Sequence, residues 1–133
     1  MIATPKQALM IWTVSWGGFA NSMYAIQLEQ FDLSFASFCV FVTSLLYWSE
    51  PKYNWIRTLD MTTVLLSLLY HMWRAYKARY YLYLYQSVGV VMIYPMSWYV
   101  YGYKKYWLSF YLHGLMHIIA YLTNMNFYQY LSR

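Results

Sequence analysis

Charged side chains interrupt the chain at a few places and leave five uncharged, largely apolar runs, at residues 7–28, 33–49, 61–73, 80–103 and 106–132. A helix needs about 20 apolar residues to cross a bilayer, with about 17 tolerated, so the first, fourth and fifth runs reach that length directly. The second is marginal. The third reaches it only if its helix begins near Arg57 or Thr58 and carries Asp60 into the membrane interface. The pattern predicts an all-α, polytopic integral membrane bundle of about five transmembrane helices, as one domain over residues 1–133, with spans at about 7–28, 33–48, 57–73, 80–102 and 106–127. Links between them are short: acidic at "EQFD", proline-containing at "SEPKYNWIR", basic at "RAYKAR" and dibasic at Lys104-Lys105.

Within the runs, Gly17, Gly18, Ala20 and Ser22 are small residues that let a second helix come close. Pro95 lies inside the fourth run and is expected to kink its helix, because it has no backbone N–H to donate. The first run exceeds the length of a signal-peptide core and lacks a small-x-small cleavage site, so span one is expected to stay in the mature chain.

Composition supports the membrane reading. Hydrophobic residues make up 62% of the 133 and charged residues 10%, against about 25% charged in a soluble domain. Eighteen tyrosines and seven tryptophans are read chiefly as an interfacial aromatic belt, since each ring ends in a polar tip. A net charge of +5 without a basic run interleaved with aromatics argues against a nucleic-acid partner. Membrane lipids and protein partners within the membrane are expected instead. The single cysteine, Cys39, excludes an internal disulfide framework. With an odd number of spans the termini lie on opposite sides, and basic residues divide five to four between them, so orientation and the membrane concerned stay open.

Chemistry concentrates in a few polar positions. "HGLMH", residues 113–117, sets two of the three histidines one helical turn apart on one face. Asp60 and His71 are eleven residues apart and share a face of span three. Ser44, Asp60 and His113 fall at similar depths, roughly 5 to 10 Å from the end of the bundle that carries the N-terminus. His71, His113 and His117 are therefore candidate metal ligands, for zinc with an open fourth position, and Asp60 and Ser44 are candidate catalytic groups. Plainer roles stand beside these: histidines as interhelix hydrogen-bonding groups, Asp60 as partner of Arg57 at a helix N-terminus, Ser44 bonded to its own backbone.

The order Ser44, then Asp60 on the next helix, then His113-x3-His117 resembles the superfamily of alkaline ceramidases and progestin/adiponectin-receptor-like proteins. The layout S-x2-YW-x2-P, R-x2-D, H-x3-H is also similar to that of small membrane proteins of large algal viruses and marine protists. The first resemblance implies a zinc-dependent hydrolase of lipid amides or esters, with Ser44 aiding an oxyanion, Asp60 beside the metal, and His113 and His117 as ligands. Four residues after Ser44, where that superfamily carries another histidine, stands Trp48, leaving His71 to complete a three-histidine set. The superfamily also has seven helices where this chain has five runs. The other reading is a noncatalytic subunit of a viral-envelope or organellar membrane assembly.

Overall fold

A computed structural model describes residues 2–133, and the described chain is helical throughout: α1 Pro5–Val14, α2 Gly17–Gln27, α3 Phe31–Ser49, α4 Trp55–Lys77, α5 Tyr81–Gly102 and α6 Tyr106–Leu131. Among the described residues, α3 alone is both long enough and apolar enough to cross a membrane by length and composition. α4, α5 and α6 have 23, 22 and 26 residues, which suffices in length. α1 and α2 are each too short, because the first apolar run is broken at Ser15-Trp16.

Local chemistry sets these boundaries. Thr4 and Gln7 form a capping box before Pro5, each side chain accepting the other's backbone N–H, at 3.4 and 2.9 Å. Asn54 accepts the N–H groups of Ile56 and Arg57 and starts α4. Three helices end alike. Glu29, Arg79 and Lys104 take left-handed backbone conformations (φ 59°, 58° and 62°). The N–H of the following residue reaches back five positions, from Gln30 to Ala25, Tyr80 to Ala75 and Lys105 to Val100. This closure satisfies the last carbonyls of each helix and reverses the chain within three residues. On the Glu50–Asn54 link, Lys52 bonds Glu50 at 2.7 Å and holds its carboxyl below the ordinary carboxylate range.

The break at Ser15-Trp16 does not turn the chain back, since both residues stay in right-handed helical conformation. Ser15 Oγ donates to the Ile11 carbonyl at 2.8 Å, and Trp16 N–H bonds the Thr13 carbonyl three residues back. Such back-bonding bends a helix. Tyr121 of α6 presses into the notch, with ring atoms 2.3 Å from where a Cβ on Gly17 would stand. On Gly18 a Cβ would meet Phe41 of α3 at 3.1 Å. The small residues of span one are thus where its neighbours come in.

Each helix from α2 to α6 packs on the next, and α6 packs back on α1 and α2, so five rods form a closed ring in chain order. The sides are apolar: Phe35, Leu66 and Leu122, all within helices, are 70, 62 and 57% exposed. The interior is not. Among the described residues, sixteen buried ones are polar or charged and eleven hydrophobic, which reverses the usual inside-out preference of a globular core. Two small apolar clusters lie toward the ends, one around Ile11, Trp48 and Phe110, the other around Leu33, Ala75 and Phe127.

Candidate functional site in the ring interior

α6 carries one continuous polar stripe into the interior. His113, His117, Tyr121, Asn124 and Tyr128 recur at spacings of three or four and so line one stripe of the helix. Each meets a different neighbour, and the stripe divides into three parts.

Nearest the N-terminal end of the bundle, the imidazoles of His113 and His117 stand with ring centroids 5.0 Å apart. His113 is edge-on to Trp48 of α3 at 5.3 Å and to Tyr94 of α5 at 6.0 Å. Its Nδ1 and the Nε2 of His117 are buried without a hydrogen-bond partner among the described residues. The other nitrogen of His117, Nδ1, has the Tyr121 hydroxyl at 3.4 Å, a long contact, and that hydroxyl also reaches the Ser15 carbonyl at 3.5 Å in the α1–α2 break. Ser44 Oγ donates to Asp60 Oδ1 at 3.0 Å, joining α3 to α4. Ser44 and Asp60, expected at similar depth, are thus in contact, whereas Asp60 makes no ion pair with Arg57 among the described residues. Asp60 also lies within electrostatic reach of Tyr121.

In the middle, Asn21 Nδ2 donates to the Tyr121 carbonyl at 3.1 Å, Asn124 Nδ2 donates to Asn21 Oδ1 at 3.1 Å, and the Tyr83 hydroxyl donates to Asn124 Oδ1 at 2.7 Å. One asparagine pair therefore ties α2, α5 and α6 together.

His71 belongs to the third part. Its Nδ1 lies 2.7 Å from the Ser67 carbonyl, which can only accept, so Nδ1 carries the proton. Nε2 then accepts from the Tyr128 hydroxyl at 2.7 Å, and Tyr128 accepts from Ser37 Oγ at 2.6 Å. Both ring nitrogens are occupied. Tyr128 lies eleven residues beyond His117 along α6, a rise of about 16 Å, so His71 is not brought to the histidine pair. Among the described residues no three His, Cys, Asp or Glu side chains gather closely enough to share a metal ion.

The donor set can therefore be weighed against zinc. Two imidazoles face the interior, and the position from which the superfamily would supply another carries an indole packed against His113. A catalytic zinc is held by three protein ligands, and the residues gathered here do not make that set.

No family model, curated protein or solved structure matches the chain. Its function is read from its own geometry. Sequence reasoning missed Tyr128, Ser37, Asn21, Asn124 and Tyr121 as interior groups. The signal was present in the register of α6, where the histidine stripe continues as Tyr121, Asn124 and Tyr128.

Proposed function

We propose that the chain is a multi-pass integral membrane protein of five spans, α1 and α2 together forming the first, and that it acts as a noncatalytic subunit making helix and lipid contacts within a membrane assembly. The observation that carries this reading is the reversed burial pattern: apolar side chains outward along whole helices, polar ones inward and bonded across helices. In lipid, no hydrophobic force separates inside from outside, and small residues and interhelix hydrogen bonds hold a bundle instead. The Ser22–Ser34 pair (2.9 Å between hydroxyls), the Ser109–Ser97 bond (2.7 Å) and the Ser37–Tyr128–His71 chain are bonds of this kind.

The test is topology mapping. In a Cys39→Ser background, single cysteines at Glu29, Lys52, Arg79 and Lys104 are labelled on intact vesicles with a membrane-impermeant maleimide. Five spans expose 52 and 104 on one side and 29 and 79 on the other. Equal labelling of all four on intact vesicles would sink the reading.

One observation favours the second reading, a zinc-dependent hydrolase of lipid amides or esters: two buried imidazole nitrogens without partners lie on the same helix face. That activity needs a further ligand beyond His113 and His117. Elemental analysis of the purified protein decides it, since one zinc per chain, lost in His113→Ala/His117→Ala, would favour the hydrolase and its absence would remove it.

A further inference from the structure

The corner where α1 meets the α5–α6 turn combines three lysines with an apolar groove. Ile2 N–H donates to the Tyr101 hydroxyl at 3.1 Å, which fixes the start of the chain against the end of α5. One turn on, a groove of about 480 Å³ runs down α1, lined by Lys6, Leu9, Met10, Thr13 and Val14 and closed on the α6 side by Trp107. The groove is shallow and open to the outside along its length. The α1 residues recur at three- and four-residue spacing, so they form one stripe, cationic at its outer end and apolar below.

Lys104 and Lys105 lie two or three residues before Trp107, which lines the groove with Lys6, and so stand at the same end of the bundle. All three lysines are exposed. Of the four acidic residues, Glu50 is taken by Lys52, Asp32 by Arg74, Asp60 lies inside with Ser44, and Glu29 is at the opposite end of the bundle. Other cations have neighbours that absorb charge: Arg57 lies over the Tyr53 ring and Lys77 over Trp73, each at 4.7 Å. Tyr103, Tyr106 and Trp107, all exposed, mark the headgroup level beside the lysines.

We infer that this corner binds an anionic phospholipid, its phosphate held by Lys6, Lys104 and Lys105 and one acyl chain lying in the groove along Leu9, Met10, Thr13 and Val14. The site rests on the membrane reading above. Polar lysine heads at the interface over an apolar groove match the two halves of a phospholipid, and the surplus positive charge selects the anionic kind.

Native mass spectrometry of the full chain in detergent, offered equal phosphatidylglycerol and phosphatidylcholine, tests it. The expected result is roughly tenfold more retained phosphatidylglycerol than phosphatidylcholine. The preference should vanish in Lys6→Gln/Lys104→Gln/Lys105→Gln and persist in the far-end control Lys77→Gln/Arg79→Gln/Arg133→Gln. Equal retention of the two lipids by the native chain, or equal loss in both variants, overturns the site. Displacement of the lipid by glycerol phosphate alone would also overturn it, by showing a phosphate site without an acyl chain. Topology mapping is run on the same preparations. A five-span map without lipid preference overturns the lipid site and leaves the membrane reading standing, whereas a failed map overturns both.

Discussion

His71 and the His113–His117 pair are buried in one ring of helices and are bonded in opposite ways. His71 has every nitrogen engaged, in a chain from Ser37 through Tyr128 to the Ser67 carbonyl that ties α3, α6 and α4. His113 and His117 lie against aromatic rings, and each keeps one buried nitrogen unpaired. An unpaired buried nitrogen costs about 1–3 kcal/mol, so the first site adds to stability and the second subtracts from it. A fold keeps such a cost where something else occupies the place, such as a water molecule or a ligand. Burial therefore does not distinguish a structural histidine from an available one; hydrogen-bond accounting does.

Trp48→His should produce the largest change. It exchanges the indole beside His113 for an imidazole and brings the donor count to three, so bound zinc should rise above that of the native chain, to about one per chain by elemental analysis. Unchanged metal content would show that the pair is not one donor short of a site. His71→Ala should follow, destabilising by about 3 kcal/mol through a cavity and the loss of one of the two Tyr128 hydroxyl partners, as read by denaturant titration in detergent. A loss below about 1 kcal/mol would contradict the closed hydrogen-bond chain. Gly17→Ala should cost about 1–3 kcal/mol, because the added methyl overlaps the Tyr121 ring that leans on His117. Combining it with Tyr121→Ala should remove most of that cost, and full additivity would refute the contact. Smallest is His117→Phe, which removes an imidazole whose Nε2 is unpaired and whose Nδ1 has only the long Tyr121 contact, and should leave stability within about 1 kcal/mol of the native chain. A drop as large as that of His71→Ala would show that the Tyr121 contact is a full hydrogen bond.

The helices were legible in the sequence because charge ends each apolar run. The expected 33–48, 80–102 and 106–127 correspond to Phe31–Ser49, Tyr81–Gly102 and Tyr106–Leu131, and 57–73 to Trp55–Lys77. The first run was not legible as two helices. Serine followed by paired glycines in "IWTVSWGGF" allows a bend, but the apolar run does not show the Ser15 back-bond that makes it or the Tyr121 ring that fills the notch. Glycines 17 and 18 did read correctly as an approach point. In the site, depth put Ser44, Asp60 and His113 in one band, since short links fix the relative heights of their helices, but it did not say that Ser44 would bond Asp60. His71 could not be separated from the pair in that way, because depth and face say nothing about which neighbour takes a nitrogen. The tyrosines misled for a related reason. A belt explains Tyr99 and Tyr103 at the exposed end of α5, but Tyr83 and Tyr128 are almost fully buried and act as hydrogen-bonding residues.

Closure of the ring between its first and last helices also sets a timetable for manufacture. Asn21 finds Tyr121 and Asn124 only after about a hundred further residues have been made, and at about 5–20 residues per second that is roughly 5–20 s of synthesis. Until then the opening segment carries a polar amide with no permanent mate. The ring can therefore close only after Tyr121 and Asn124 have been made, so its last helix completes the bonding of its first span.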